Sequence, residues 1–291
     1  MSAVSDPDSL IAFQGSPGAY SNLACVHAHP ELTPLPCATF EETFAAVQSG
    51  QARLAMIPVD NSVAGRVADI HHLLPGSRLH IVGEHFQRVN HQLMALPGTR
   101  IGDLRVVSSH IHALSQCRKV IAELGLRTEV HADTAGSAKE LIETGDRERA
   151  VIASSLAAKI YGLEILHSDI EDAEHNTTRF LIMAREPVSM PFDETESFVT
   201  SFLFRVRNIP AALYKTLGGF ATNGVNMTKL ESYVGDRFRV AQFYADIEGH
   251  PESRSVQLAL EELRFFATEV RIFGVYRASP FRHQQVADSD N

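Results

Sequence analysis

The stretch FVTSFLFRVRNIPAALYKTLGGFATNGVNMTKLES (Phe198–Ser232) decides the architecture of the C-terminal third of the chain. Its apolar pattern predicts a strand over Phe198–Arg207, a helix over Ala211–Asn223 and a strand over Val225–Tyr233. Three further predicted elements follow: a strand over Phe238–Ile247, a helix over Glu252–Ala267 and a strand over Val270–Tyr276. This βαββαβ order is typical of a ferredoxin-like unit of about 80 residues.

Upstream of this unit, short apolar runs alternate with helix-like stretches from Leu10 onward. This alternation is typical of an α/β fold with parallel strand pairing. Helices are indicated by a capping box at Thr39 and Glu42, and by 3.6-residue apolar spacing over His112–Gly125. The predicted strands are Leu10–Gln14, Arg53–Pro58, His80–Glu84, Gln92–Ala95, Arg105–Ser108, Arg127–His131, Ala150–Ala153 and Phe180–Ala184.

The composition limits the number of domains and the kinds of partner. The chain has 291 residues, 44% of them apolar, so at roughly 150 residues per domain it holds two or three domains. Its 35 acidic residues exceed its 26 basic ones, giving a net charge of −9, which argues against a nucleic-acid or anionic-membrane partner. An anionic substrate would therefore have to be held by local donors, because the overall field repels it.

The three cysteines and the chain ends indicate the compartment. Cys25, Cys37 and Cys117 form no CxxC pair and are too few for a disulfide framework, so free thiols in a reducing compartment are expected. The opening MSAVSDPDSL lacks the regions of a signal peptide, and no apolar run reaches the ~18 residues of a membrane helix. We expect a cytoplasmic protein with disordered ends at residues 1–8 and 279–291.

Two polar motifs follow predicted strands in the first third of the chain. FQGSPGAYSNLA brings Tyr20 and Ser21 to a helix start, where an anion is favoured, although an ordinary tight turn needs the same residue types. IPVDNSVAGRV puts Asn61 and Ser62 at the carboxyl end of a strand. That position is typical of ligand-binding residues in α/β sheets, and it also suits helix capping.

Two more motifs lie further along. SSHIHALSQC carries Ser109 at another strand end and Gln116 on the helix that follows, and its isolated HxH pair favours a surface or capping role over a metal site. In EHNTTRFLIMA a polar run opens an apolar strand. There the Thr178 hydroxyl could donate a hydrogen bond beside the cation of Arg179, although β-propensity explains a threonine equally well.

In order and spacing these motifs resemble the prephenate dehydratase family from about Leu10 to Tyr276. The matching elements are GSPGAYS, PVDNSVAGRV, SH-x6-QC, the ASSLAAKIYGL–NTTRF run, and PAALYKTLGGFATNGVNMTKLES, which resembles the family's ACT regulatory signature. The resemblance implies a two-lobed catalytic domain like a type II periplasmic binding protein, followed by an ACT domain. The implied boundaries are 9–186 for the catalytic domain (lobe 1 at 9–87 and 169–186, lobe 2 at 88–168), 187–197 for a linker and 198–278 for the ACT domain.

The resemblance also implies an activity. Prephenate would lose water and CO2 to give phenylpyruvate in phenylalanine biosynthesis, without a metal or cofactor, because aromatisation drives the step. Thr178 takes the position of the essential catalytic threonine. Implied substrate-binding residues are Tyr20, Ser21, Asn61, Ser62, Ser109, Gln116, Thr177 and Arg179. The family's Ile-Glu-Asn is Val59-Asp60-Asn61 here, so the carboxylate has a shorter reach.

For the C-terminal unit the resemblance implies feedback control by phenylalanine at an interface, and pairing into a homodimer or homotetramer. The implied amino-acid site comprises Ala211, Ala212, Leu213, Asn226, Glu231 and Ser232. Two signature elements differ here: Gly-Ala-Leu is Ala211-Ala212-Leu213, and Glu-Ser-Arg-Pro is Glu231-Ser232-Tyr233-Val234. We therefore expect an amino-acid site with a weakened or altered response.

Two alternative functions stay open at this point. Arogenate dehydratase acts on the amine counterpart of prephenate, and Asp60 or another carboxylate in the cleft could favour its ammonium group. A non-catalytic amino-acid-sensing or solute-binding module would use the same lobes, but the intact NTTRF run argues against it.

Overall fold

The computed structural model describes residues 6–173, 175–207, 209–234 and 240–282. Within those residues the strands are β1 (Leu10–Gln14), β2 (Thr33–Cys37), β3 (Leu54–Asn61), β4 (Gly65–Arg66), β5 (His80–Arg88), β6 (Gln92–Ala95), β7 (Val106–His110), β8 (Arg127–His131), β9 (Arg149–Ala153), β10 (Glu164–His167), β11 (Thr177–Ala184), β12 (Phe198–Val206), β13 (Met227–Val234), β14 (Val240–Glu248) and β15 (Ala267–Arg277). The α-helices are α1 (Tyr20–Ala28), α2 (Phe40–Gln48), α3 (Ile70–Gly76), α4 (Ile111–Gln116), α5 (Arg118–Glu123), α6 (Thr134–Thr144), α7 (Ser155–Tyr161), α8 (Ala212–Thr222) and α9 (Arg254–Phe266).

The packed chain divides into two compact units. One combines the residues up to Ile70 with His85–Phe180, and the other combines His71–Glu84 with the chain from Leu181 onward. No helix in the described part of the chain is long and apolar enough to cross a membrane.

The first sheet has the strand order β2-β1-β3-β11-β5, with β4 paired to β3. Its strand β1 pairs in parallel with both β2 and β3, as the alternating pattern predicts. Strand β2, TPLPC, was not predicted because its two prolines cannot donate ladder hydrogen bonds. It lies at the edge of the sheet, where one side of the strand needs no such donors.

Strand β11 begins three residues earlier than the predicted Phe180–Ala184. The added residues are held to the end of β3, because the Ser62 N–H donates to the Thr177 carbonyl over 2.9 Å. Thr177 is buried and Thr178 half-buried. The polar run NTTRF therefore belongs largely to the strand itself, and Thr178 lies within the sheet.

The second sheet has the order β10-β6-β9-β7-β8 and is mixed. Strand β7 is parallel to β8 and β9, but β6 is antiparallel to β9, and β10 is antiparallel to β6. The expectation of parallel pairing is wrong for β6 and β10. Strand β6 pairs with β9 and β10, which lie far from it in sequence, so no connection next to β6 along the chain fixes its direction.

The helix predicted over His112–Gly125 is two short helices, α4 and α5, interrupted at Cys117. Asp172, which lies far away in sequence, caps the start of α5 and so separates it from α4. Its backbone N–H donates to the Gln116 carbonyl over 2.6 Å. Its carboxylate accepts the N–H groups of Arg118 and Lys119 at 3.0 and 3.2 Å. A cap supplied by a residue 54 positions away in sequence cannot be seen in the periodicity of the helix.

The third sheet has the antiparallel order β13-β14-β12-β15. Together with α8 and α9 it forms the predicted ferredoxin-like unit. The core between helices and sheet includes Phe202 stacked on Phe220 and Phe204 stacked on Phe243. The first two residues of the strand predicted over Phe238–Ile247 lie outside the described residues.

The segment His71–Glu84 packs on this sheet, although the expected boundary assigned it to lobe 1. Arg271 Nη2 donates to the Ser77 carbonyl over 2.7 Å. A Cβ at Gly274 would collide with the backbone of Ile81, so only glycine allows this close approach. The expected linker at 187–197 is therefore not where the packed units divide.

Parts of both ends are ordered, contrary to expectation. Pro7–Ser9 forms a 3-10 helix capped by Asp6. The Ser279 N–H and the Arg282 guanidinium both donate to Glu84. Residues 1–5 and 283–291 lie outside the described residues, so the expectation of disorder there stays a prediction.

Candidate active site

A reciprocal clamp joins the end of β3 to the start of β11. The Ser62 hydroxyl donates to the His175 carbonyl over 2.6 Å and accepts the Thr177 N–H over 2.9 Å. The hydroxyl of Ser62 is thus fully engaged with backbone groups. This clamp fixes the position of the next residue, Thr178, relative to Asn61.

The side-chain amide of Asn61 can adopt only one orientation. Its Oδ1 accepts the backbone N–H groups of Val63 over 3.0 Å and Ala64 over 2.7 Å, so its Nδ2 must point the other way. That Nδ2 lies 2.9 Å from Asn176 Oδ1 and 2.9 Å from Thr178 Oγ1. The Thr178 oxygen therefore accepts. Among the described residues no protein atom takes its hydrogen, which leaves that hydrogen for a bound molecule.

A line of hydrogen bonds continues from Asn176 to Tyr20. The Asn176 Nδ2 donates to Gln116 Oε1 over 2.9 Å, and that oxygen lies 2.8 Å from His91 Nε2. The His91 Nδ1 lies 2.8 Å from the Tyr20 hydroxyl, which is also 2.9 Å from the Asn90 carbonyl. The line joins the start of α1, the segment after β5, the end of α4 and the segment before β11.

Burial sets the protonation states along this line. Burial raises the pKa of the Tyr20 hydroxyl well above its usual range, and the neighbouring Cys117 and Glu171 raise it further. Burial lowers the pKa of His91, against the opposing effects of the Gln116 hydrogen bond and the Glu171 charge. At neutral pH Tyr20 is therefore protonated and His91 is neutral.

The glycine-containing turn after β1 is held by the second sheet's helix α7. Gly18 has a φ of +90°, and an added Cβ would approach Ala157 Cα within 2.8 Å. The Ser154 hydroxyl donates to the Gly18 carbonyl over 2.6 Å. The backbone at Gly18 thus approaches a neighbouring helix. Helix α1 then begins at Tyr20 without a side-chain cap.

Four predicted site residues belong to the connected network: Tyr20, Asn61, Gln116 and Thr178. Ser62 and Thr177 form the clamp beside it. Ser109 is fully buried and its hydroxyl donates to the Ile152 carbonyl over 2.6 Å. Arg179 is 7% exposed. As the next residue in β11 it projects from the opposite face to Thr178. Contact of each predicted site residue with substrate, Ser21 included, stays a prediction.

The sequence reasoning missed two members of the network, His91 and Asn176. Both are almost fully buried, at 2% and 1% exposure. Each lies in a polar run that opens an apolar strand, the same signal that drew attention to Thr178. A systematic search for buried polar residues at strand entrances would have found them.

The predicted regulatory residues fall into separate groups along the ferredoxin-like unit. Ala211 precedes α8 and Asn226 follows it, so a helix of 11 residues, about 16 Å long, lies between them along the chain. Asn226 Nδ2 donates to Glu248 Oε2 over 2.9 Å, and Lys229 Nζ donates to Glu231 Oε1 over 2.7 Å. That the six residues form an amino-acid site stays a prediction.

No group of three or more histidine, cysteine or acidic side chains among the described residues is arranged to hold a metal ion.

The family model described as prephenate dehydratase matches residues 11–188. The chain belongs to the prephenate dehydratase family. Members of this family are hydro-lyases, and this chain is one of them.

Curated relatives and solved structures agree with the family. A protein of Komagataeibacter europaeus named bifunctional N-acyl-homoserine lactone acylase/prephenate dehydratase is 54% identical over 94% of this chain and 98% of its own length. Arogenate dehydratase/prephenate dehydratase 2 of Arabidopsis thaliana is 40% identical over 91% of this chain and 72% of its own. The structure of prephenate dehydratase from Arthrobacter aurescens in complex with L-Phe has a TM-score of 0.83 at 27% identity, covering 97% of this chain and 98% of that one.

The matched structures confirm the fold class. The prephenate dehydratase family has two-lobed catalytic domains like those of periplasmic binding proteins, and the ferredoxin-like sheet order found here is consistent with an ACT domain.

Proposed function

We propose that this chain converts prephenate to phenylpyruvate at the site around Thr178. The observation that carries the proposal is the Thr178 hydroxyl. It is anchored on its oxygen by Asn61 and has a hydrogen free to donate, in a chain of the prephenate dehydratase family. A fixed donor at a half-buried position suits a reaction whose leaving group is a hydroxide.

The bonds that break and form in the reaction define what this site must do. The bond from the ring to its carboxylate breaks and CO2 leaves. The electron pair of that bond forms the new ring double bond and expels the ring hydroxyl as hydroxide. Hydroxide then takes up one proton to become water. Aromatisation supplies the driving force, so the protein's contribution is orientation and hydrogen bonding to the departing oxygen.

Thr178 is the proposed catalytic residue because it donates to that oxygen. A threonine hydroxyl is a very weak acid, so it assists by hydrogen bonding while the proton comes from solvent. The uncapped first turn of α1, at Tyr20 and Ser21, offers backbone N–H groups for a substrate carboxylate. Such local donors offset the repulsion between a dianion and a chain of net charge −9.

The test is an assay of the purified protein with prephenate and with arogenate in parallel. Formation of phenylpyruvate from prephenate is expected. Formation of phenylalanine from arogenate alone would overturn the choice of substrate, and the plant relatives named arogenate dehydratases make this the main rival. Absence of product from both would favour a sensing module.

A second candidate activity is amide hydrolysis of N-acyl-homoserine lactones. It is favoured by the 54% identity to a relative named for both activities and by a TM-score of 0.89 to a structure described as a quorum quenching acylase. The test is release of the free fatty acid from a long-chain N-acyl-homoserine lactone. No release at protein concentrations that turn over prephenate would remove this candidate.

We also propose that L-phenylalanine binds the ACT domain and weakly modulates activity. The binding of L-Phe by the relative from Arthrobacter aurescens supports the ligand, and the changed signature at Ala211 and Tyr233 supports an altered response. Calorimetry with L-phenylalanine, using D-phenylalanine as a control, should show heat for the L form only. Neither heat nor a change in activity would overturn this proposal.

We propose a homodimer or homotetramer as the working form, in the cytoplasm. The ACT domain supports pairing through its sheet edges, and light scattering of the purified chain measures the assembly. The free thiols Cys25 and Cys117, both buried, support a reducing compartment.

A further inference from the structure

His91 is fixed in place by its own backbone as well as by its ring. Its N–H donates to Glu171 Oε2 over 2.9 Å, and its carbonyl accepts the Ile170 N–H over 2.9 Å. The ring lies edge-on to Tyr20, with 5.4 Å between the ring centres. Its exposure is 2%. The imidazole therefore has no room to swing, and its two nitrogens face fixed partners.

The direction of every hydrogen bond between Thr178 and His91 follows from the Asn61 amide. Because Asn61 Nδ2 donates, Asn176 presents its oxygen to Asn61 and its nitrogen to Gln116. Gln116 must then present its oxygen to both Asn176 and His91. An oxygen cannot donate, so His91 carries a hydrogen on Nε2.

We propose that His91 is a positioning residue for the dehydration step, a statement that rests on the proposed function. Its Nε2–H donates to the Gln116 oxygen and so fixes the orientation of the last amide in the row formed by Asn61, Asn176 and Gln116. The backbone N–H groups of Val63 and Ala64 pin the near end. With both ends fixed, the amides keep one orientation, and the Thr178 hydroxyl keeps its hydrogen directed at the substrate.

The same geometry assigns a role to the Tyr20 hydroxyl. With the neutral ring, the single Tyr20 hydrogen faces two acceptors, the bare Nδ1 at 2.8 Å and the Asn90 carbonyl at 2.9 Å. With a protonated ring, Nδ1–H donates to the Tyr20 oxygen, and the Tyr20 hydrogen turns to the Asn90 carbonyl. The Nε2–H to Gln116 bond is the same in both states. The orientation of the amide row is therefore independent of the charge on His91.

The ionisable groups nearest His91 are Tyr20 on α1 and Glu171 on the segment before β11, and Cys117 and Asp169 act on Tyr20 in turn. Arg88 lies 4.0 Å from Glu171. Since positioning by His91 does not depend on its charge, replacing His91 should leave the pH dependence of kcat unaltered in shape. Loss of one limb of the pH profile would identify His91 as a general acid and overturn the proposal.

The variants His91→Gln and His91→Asn form a matched pair. Glutamine can reach Gln116 with an amide N–H, as Nε2 does, whereas asparagine is too short and reaches only toward Tyr20. We expect kcat to fall about tenfold in His91→Asn and within about threefold in His91→Gln, with KM little changed, because one oriented hydrogen bond is at stake. Equal Tm values with unequal kcat support positioning, and equal kcat values overturn it.

A measurement on the wild-type protein decides the matter if neither variant folds. The ¹⁵N chemical shifts of the His91 ring, recorded with ¹⁵N-histidine labelling at neutral pH, report which nitrogen carries the hydrogen. A hydrogen on Nε2 supports the proposal, and a hydrogen on Nδ1 overturns it. This measurement needs no turnover, so failure of the positioning role is distinguishable from absence of prephenate dehydratase activity.

Discussion

The network around Thr178 and the signature segments of the ferredoxin-like unit use their polar side chains in different ways. In the network each amide has one orientation, fixed through neighbours that lie far apart in sequence, such as Asn61 and Asn176. In the ferredoxin-like unit Asn226 donates to Glu248 at the end of β14, and Lys229 donates to Glu231 on the same strand. A network of interlocked bonds constrains all its members at once, and Asn61 and Thr178 keep the family's residue types. The departures from the family pattern fall beside the network, at Val59 and Asp60, and in the ferredoxin-like unit, at Ala211 and Tyr233-Val234.

The largest effect is expected from Thr178→Ala. Removing the hydroxyl takes away the donor to the departing oxygen, so turnover of prephenate should fall by ~10²-fold or more. The measurement is kcat from the rate of phenylpyruvate formation, alongside Tm. Thr178→Ser retains the hydroxyl and serves as the matched control. A kcat near that of the wild type in Thr178→Ala would contradict this prediction. It would show that the network around Thr178 tolerates substitution as the ferredoxin-like unit does.

A smaller effect, on stability, is expected from Arg282→Ala. The Arg282 guanidinium donates to both carboxylate oxygens of Glu84, at 2.7 and 2.8 Å, and the Glu84 side chain is fully buried. Removing the guanidinium takes both of its hydrogen bonds away from that buried carboxylate, so the free energy of unfolding should fall by about 2 kcal/mol. Chemical denaturation measures the loss.

The control for that prediction is the double variant Glu84→Gln with Arg282→Ala. It also removes the negative charge that Arg282→Ala deprives of its guanidinium partner, and it should be less destabilised than Arg282→Ala alone. Denaturation midpoints that coincide for the wild type and Arg282→Ala would contradict the role of the pair. They would also show that the compact unit containing the ferredoxin-like sheet tolerates the loss of this buried ion pair.

The smallest effect is expected from Ala211→Gly. Ala211 has a φ of +59°, a left-handed conformation in which a Cβ is strained and in which the family signature has glycine. Glycine relieves that strain in the folded state, but it also has more freedom in the unfolded chain, which offsets part of the gain. The free energy of unfolding should therefore rise by about 0.5 kcal/mol. Thermal denaturation measures it. Ala212→Gly, within the helix, is the control and should be destabilising.

Much of the fold could be predicted from local pattern. The bounds of β1, β6 and β8 agree with their predictions, and the ferredoxin-like order follows from apolar periodicity alone. What failed depended on distant partners. Asp172 splits a helix that periodicity makes continuous, and β6 runs antiparallel to β9, a strand far from it in sequence. A residue's own neighbours in sequence carry no information about either effect.

The sequence by itself determined the composition of the candidate site: an asparagine, a glutamine and a threonine, each in a polar run beside a buried strand, in the order typical of one family. Only the tertiary structure decided how they act together. The backbone N–H groups of Val63 and Ala64 orient the Asn61 amide. The Asn61 amide in turn fixes the orientation of Asn176, then of Gln116, and so places a hydrogen on His91 Nε2. The direction of a hydrogen bond depends on which atoms face each other, and only folding brings these atoms together.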